Sequence, residues 1–208
     1  NMKKLLPLIL LVTSFNVFAK PIAENADSIQ PLLSGQMIPD VKVVTTDNTT
    51  PSLKALLNGK KSILFFYRGG WCPFCNTQMG QLKKIENQLA DMGFQLIGIS
   101  TDSVADLKAS IKKQDLNYQL LSDYHSTISQ AFGLAYFASE KTTEKYVAKL
   151  SLGNPLQTNK LNQQRLVLPA PAIYIIDQQG LVQFNYVNPN FKVRLHEELL
   201  LKAASLVK

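Results

Sequence analysis

Cys72 and Cys75 are the only two cysteines of the chain, and they share one run, Trp71-Cys72-Pro73-Phe74-Cys75. On a helix, residues three apart lie on one face, so these thiols can exchange between dithiol and disulfide. The reactive species in such chemistry is the thiolate. If Cys72 opens a helix, its sulfur sits beside unpaired backbone N–H groups and the positive end of the helix dipole, and both favour the anion. Cysteines in such places commonly titrate at roughly 3.5–7.5. Pro73 suits that geometry, because a first-turn N–H has no helical partner to lose. Cys75, one turn deeper, can attack a mixed disulfide formed at Cys72. Trp71 would cover one flank of the sulfur, and Phe74 would offer a contact surface. Arg68 either assists the thiolate or caps a strand end.

Other uses of two thiols need partners that the chain does not supply. A structural zinc site needs four ligands, and beyond the cysteines only His125 and His196 are present, far apart in sequence. A copper site from two thiolates and one His meets the same difficulty. His196-Glu197-Glu198 lacks the second His of a metalloprotease motif. No metal and no cofactor is therefore expected: the dithiol is itself the redox group.

The surrounding pattern alternates strands with helices. Val41–Thr46 is expected as a strand, followed by a turn over residues 47–50 and a short helix capped by Ser52. Ile63-Leu64-Phe65-Phe66-Tyr67 is a continuous apolar run, as in a strand covered on both faces. From Cys75 on, Met79, Leu82, Ile85, Leu89 and Met92 recur at helical steps, with Gly93 as the stop. Phe94, Leu96, Ile97 and Ile99 make a second buried strand. Ser103 caps a helix through Leu107 and Ile111, Tyr118–Leu121 is a strand, and Ser126 caps a helix through Ile128 and Phe132. Residues 137–168 break this rhythm with a polar excursion holding one helix around Tyr146, Val147 and Leu150. Ile173–Ile176, a turn at residues 177–180 and Leu181–Val187 form a hairpin, and a last helix carries Leu195 to Leu206. This is an α/β layered fold with a mixed central sheet flanked by helices.

The 208 residues, 46% hydrophobic, suffice for one domain with its own core. The net charge of +7 comes from scattered Lys and Arg, densest in pairs such as Lys60-Lys61, Lys83-Lys84 and Lys112-Lys113. Such pairs are solvated faces, and no nucleic-acid partner is expected. Met2-Lys3-Lys4, the apolar run Leu5–Val12 and Val17-Phe18-Ala19 read as a secretory signal peptide cut after Ala19. That run is too short to span a bilayer, so no stable membrane association is expected after cleavage. The expected compartment is the periplasm (or the exterior), where a cysteine pair can hold a disulfide. The expected organisation is a leader over residues 1–19, an N-terminal arm over 20–36 and one domain over 37–208.

The run Phe66-Tyr67-Arg68-Gly69-Gly70-Trp71-Cys72-Pro73-Phe74-Cys75 resembles the active-site segment of thioredoxin-superfamily proteins. More narrowly, it resembles the peroxiredoxin-like branch of the alkyl hydroperoxide reductase / thiol-specific antioxidant (AhpC/TSA) family. Ile97–Asp102, Ala131-Phe132-Gly133 and Leu168–Asp177 agree in the same order. The resemblance implies a thioredoxin-like fold with an N-terminal extension and the 137–168 insertion. It implies Cys72 as the nucleophilic or peroxidatic cysteine, Cys75 as the resolving one, and a cis-proline at Pro171. Two positions depart from the family: Gly69 stands where typical peroxiredoxins have Thr, and Pro171 near where they have a peroxide-holding Arg.

Two activities follow from that resemblance. The first is thiol–disulfide exchange with a protein partner through the Cys72–Cys75 pair, with Ala170 and Pro171 shaping a substrate groove. The alternative is a thiol-dependent peroxidase, in which Cys72 reduces hydrogen peroxide or an organic hydroperoxide and Cys75 closes the disulfide. A non-catalytic binding or metal-handling module is the third possibility. Gly69 and Pro171 place exchange ahead of peroxide reduction.

Overall fold

The computed structural model describes residues 20–207, so the expected leader lies outside the described residues. The chain runs through β1 (Val44–Thr45), α1 (Leu53–Leu57), β2 (Ser62–Phe66), α2 (Pro73–Asp91) and β3 (Gln95–Ser100). It continues with α3 (Val104–Gln114), β4 (Gln119–Ser122), α4 (Thr127–Ala131), β5 (Ala135–Phe137) and α5 (Glu140–Leu150). β6 (Gln157–Thr158), β7 (Gln164–Arg165), β8 (Val167–Pro169), β9 (Ala172–Ile176), β10 (Val182–Val187) and α6 (Glu197–Leu206) complete it.

Six strands form one mixed sheet in the order β1-β4-β3-β2-β9-β10. β2, β3 and β4 are parallel, whereas β9 runs antiparallel to both β2 and β10. β2 lies at the centre and is buried on both faces, which explains its unbroken apolar sequence. Its side chains alternate between two cores. Ile63, Phe65 and Tyr67 pack with Met79 and Leu82 of α2, Leu107 of α3 and Leu200 of α6. Leu64 and Phe66 pack on the opposite face with Leu53, Ile128 and Phe132. The reactive segment thus leaves the C-terminal end of a strand that two layers of apolar packing hold in place.

Residues 20–36 run along the body, extended except for a 3-10 turn over Ala26–Ser28. Gln30 N–H donates to Gly133 O at 3.1 Å and Leu32 N–H to Phe132 O at 3.0 Å. Gly133, at φ +70°, lets the arm approach, because a β-carbon there would run into the Gln30 carbonyl. The polar excursion is closed at its base, where β5 and β8 pair antiparallel, with Tyr136 opposite Leu168.

Three expectations need correction. The strand expected over Val41–Thr46 shrinks to Val44–Thr45, because only these residues find a partner strand, β4, while Lys42 bridges to Ser52. Ser126 precedes α4 but makes no side-chain cap. The buried Asp123 carboxylate caps the helix instead, accepting from Ile128 N–H and Ser129 N–H at 2.8 Å each. Pro171 is trans, since the described chain holds no cis peptide bond. It continues an extended path from β8 into β9: Ala170 N–H donates to Leu134 O at 2.9 Å, and Pro171 O accepts from Asn188 N–H at 3.1 Å.

Candidate active site

Cys72 is the N-cap residue of α2, and Pro73 is its first helical residue. The preceding loop is anchored from β3 and α2. Thr101 Oγ1 donates to Arg68 O at 3.0 Å, Gly70 N–H donates to Asp102 Oδ2 at 2.8 Å, and Asn76 Nδ2 donates to Gly70 O at 2.8 Å. The segment Ile97–Asp102 therefore serves the site by holding the loop that presents Cys72. Both cysteines are free thiols, 2% and 0% exposed.

The two sulfurs titrate apart. Cys72 is brought down to about 6, chiefly by the Cys75 thiol beside it. Burial opposes this, while the Cys75 backbone N–H and the charges of Arg68 and Arg194 assist it. Cys75 is pushed far above the usual thiol range by burial and by holding its proton toward Cys72, with Arg194 pulling the other way. The pair thus has one nucleophile ready at neutral pH and one thiol in reserve.

Arg68 is 2% exposed and lies in an aromatic cage. Its guanidinium carbon is 3.9 Å from the Phe191 ring centroid and 5.2 Å from those of Trp71 and Tyr146. Nη2 donates to the Tyr146 hydroxyl at 2.5 Å, whereas buried Nε has no partner. Among the described residues no carboxylate pairs with this cation. A buried cation without an anion is costly, and the ring faces offset only part of that cost. The Cys72 thiolate is the anion whose formation Arg68 favours. Arg68 thus stands at the end of β2, caged by rings from the Cys72 loop, from α5 and from the segment before α6.

The remaining expected residues divide. Trp71 packs against Tyr146, with ring centroids 4.9 Å apart. Phe74 is 40% exposed and meets Phe191 edge-on at 5.8 Å. Pro171 is buried at the head of β9, and the strand register continues it opposite Tyr67. Gly69 has no room for a side chain: at φ +153°, a β-carbon would overlap the Trp71 indole nitrogen and come within 2.7 Å of Asp102 Oδ1. In this loop conformation Trp71 occupies the space that any side chain at position 69 would need. A cleft of about 300 Å³ lies beyond Trp71, bordered by Asp102, Ser110 and Asn154, and neither cysteine lines it. His125 is exposed, and His196 caps α6 by accepting from Glu198 N–H at 3.3 Å.

Sequence reasoning did not find Tyr146, Phe191 and Arg194 as members of the site. Arg194 Nη2 donates to Cys75 Sγ at 3.3 Å across 119 residues of chain. No local pattern marks such a contact. For Tyr146 the only signal was its apolar spacing with Leu150.

Residues 34–185 match the family model described as the AhpC/TSA family. Peroxiredoxin Bcp of Escherichia coli is 28% identical over 106 residues, which are 51% of this chain and 67% of that protein. A relative from Haemophilus influenzae, also carrying the bcp name, is 31% identical over 106 residues, 51% of this chain and 68% of its own length. Among solved structures, reduced Prx3 from Vibrio vulnificus in complex with hydrogen peroxide superposes with a TM-score of 0.67 at 19% identity, covering 83% of this chain and 99% of that one.

Proposed function

This chain belongs to the AhpC/TSA family, and from that premise we propose that it is a thiol-dependent peroxidase with Cys72 as the peroxidatic cysteine. It is a thiol-dependent oxidoreductase in either of the two senses the sequence allowed; the comparisons favour the peroxide sense over disulfide exchange. The observation that carries the proposal is the setting of Cys72. Its thiolate is favoured near neutral pH and stands near the buried Arg68 cation, yet the residue is 2% exposed. A sulfur so enclosed favours a small substrate such as a hydroperoxide over a protein disulfide, which needs a much wider approach. The relative solved with hydrogen peroxide supports the same substrate class.

The Cys72 thiolate attacks the terminal oxygen of the hydroperoxide, forming the S–O bond as the O–O bond breaks. Cys72 becomes sulfenic acid, and the departing alkoxide or hydroxide takes up a proton. The cation of Arg68 stabilises negative charge at the sulfur and where it develops on oxygen. Cys75 then displaces water from the sulfenic acid and closes the disulfide. An external thiol reductant returns the pair to the dithiol. We place this cycle in the periplasm on the strength of the leader read in residues 1–19; cell fractionation with N-terminal sequencing of the mature protein tests that part.

The central test is stopped-flow fluorescence of Trp71, the only tryptophan, with limiting hydrogen peroxide. A fast phase that is second-order overall and lost in Cys72→Ser is the expected result. Oxidation no faster than that of a free thiol would overturn the peroxidase and return disulfide exchange to first place.

A further inference from the structure

The guanidinium of Arg194, in the segment between β10 and α6, is committed at all three nitrogens. Nε donates to Phe191 O at 2.8 Å, Nη1 to Gln78 Oε1 at 2.8 Å, and Nη2 to Cys75 Sγ at 3.3 Å. Gln78 is buried and follows Cys75 by one turn on α2, so the planar fork straddles one face of that helix. Among the described residues Arg194 pairs with no carboxylate. A guanidinium has no acceptor and keeps its charge, so the sulfur must be the acceptor in this contact.

We infer that Arg194 readies Cys75 for the resolving step, holding its sulfur beside Cys72 and stabilising its anion as it attacks. This rests on the peroxidase reading for its substrate but not for its geometry. In the step, the Cys75 thiol gives up its proton and its sulfur forms a bond to the Cys72 sulfenic sulfur. The S–O bond of the sulfenic acid breaks, and the departing hydroxide takes a proton to become water. Cys75 is oxidised and the sulfenic sulfur reduced, so the disulfide and one water balance the two cysteines. Cys75 needs this help because burial disfavours its anion, and Arg194 is the largest charge acting the other way. The other titratable or charged groups coupled to Cys75 are Cys72, Tyr67, Asp102 and Tyr136. Among these, Tyr67 and Tyr136 are held neutral and Asp102 is acidic, so none supplies a positive charge.

The test measures resolution apart from oxidation, in the full chain. With hydrogen peroxide, resolution is the phase whose rate does not depend on peroxide concentration. In a second arm, one equivalent of methyl methanethiosulfonate places a methylthio group on Cys72. Cys75 then expels methanethiol, and quenched mass spectrometry follows the mixed disulfide into the intramolecular one. Arg194→Gln is expected to slow resolution about tenfold in both arms, equivalent to one pKa unit of anion at fixed pH, with recovery at higher pH. Arg194→Lys, which keeps the charge, is expected to restore most of the rate, and the peroxide-dependent phase is expected to change less. Wild-type resolution in Arg194→Gln overturns the inference, as does Arg194→Lys resolving as slowly as Arg194→Gln. If Arg194→Gln does not fold, Arg194→Lys carries the test: a pH profile moved by a full unit overturns the role of charge, and an unmoved one supports it. Absence of any peroxide-dependent phase in the wild type sinks the peroxidase reading, while the methylthio arm still decides the role of Arg194.

Discussion

Arg68 and Tyr146 are 78 residues apart in sequence, yet the guanidinium Nη2 donates to the phenol oxygen at 2.5 Å. The contact joins the strand-end segment before Cys72 to α5, the helix of the polar excursion. The excursion is thereby part of the site: it supplies Tyr146, which packs against Trp71 and forms one wall of the cage around Arg68.

Removing that cation weakens the nucleophile. Arg68→Met is expected to raise the pKa of Cys72 and to slow its oxidation at pH 5 by up to about tenfold, since one pKa unit is tenfold in thiolate at a pH below both values, with a smaller loss at pH 7. Tyr146→Phe keeps the ring and loses one hydrogen bond, so a loss of about two- to fivefold is expected. Stopped-flow oxidation of both variants at several pH values checks the order; equal losses in the two would contradict it.

Oxidation should follow the ionisation of Cys72. With its thiol brought down to about 6 by the Cys75 thiol above all, the rate rises as pH increases through about 6 and levels off above neutrality. The sign is that of a depressed acid: the anion's contribution to stability is full above the unfolded thiol value and is lost as pH falls through 6. Thiolate absorbance in the ultraviolet, titrated in wild type and in Cys72→Ser, locates the midpoint. A midpoint near that of a free thiol would refute the assignment.

The two cysteines should fail differently. Cys72→Ser abolishes peroxide-driven oxidation. Cys75→Ser still oxidises once but cannot close the disulfide, so a sulfenic acid accumulates and a sulfenic-selective probe labels Cys72. Turnover with a thiol reductant should fall in both variants. Labelling of Cys75 in place of Cys72 would reverse the assigned roles.

Restoring the typical family residue should not restore a typical peroxiredoxin. In Gly69→Thr the new β-carbon meets the Trp71 indole and Asp102 Oδ1, so the loop must shift. A loss of about 1–3 kcal/mol in stability is expected from such overpacking, together with slower oxidation of Cys72. Urea denaturation and stopped-flow kinetics check it, and a gain in both would show that Trp71 does not hold that space.

Asp102 carries a pH signature of its own. Burial pushes its carboxyl up to about 6 against the pull of the Gly70 N–H. An acid raised on folding favours the native state fully below its unfolded value, and that contribution is lost as pH rises through 6. Asp102→Asn keeps an acceptor for Gly70 and removes the buried charge. Relative to wild type, the variant should therefore gain stability between about pH 4 and pH 7, by up to about 3 kcal/mol. Parallel stability curves for the two proteins would mean that Asp102 is not held at a raised value.

Much of this protein could be read along the chain, because much of it is set by local spacing. The apolar run Ile63–Tyr67 marks β2, since a strand covered on both faces has no polar side to show. Met79, Leu82, Ile85 and Leu89 mark the buried face of α2 by their helical step. Cys72, Pro73 and Cys75 mark the reactive turn, because a cysteine at a helix start and a proline behind it follow from the unpaired N–H groups of that first turn. The remaining features depend on contacts between residues distant in sequence. Asp123 displaced Ser126 as the cap of α4 because its carboxylate reaches two N–H groups that the serine does not. Pro171 stayed trans within an extended path from β8 to β9. Above all, the surroundings of Arg68 and the whole of the Arg194 contact came from places no motif marks. Arg68 gained its cage from Tyr146 and Phe191, and Arg194 reached Cys75 across 119 residues. The sequence determined that both sulfurs share the first turn of one helix, since that is a matter of adjacent residues and one helical turn. Only the tertiary structure decided which charges surround them, because side chains from separate segments meet only after the sheet has brought their loops to the same end.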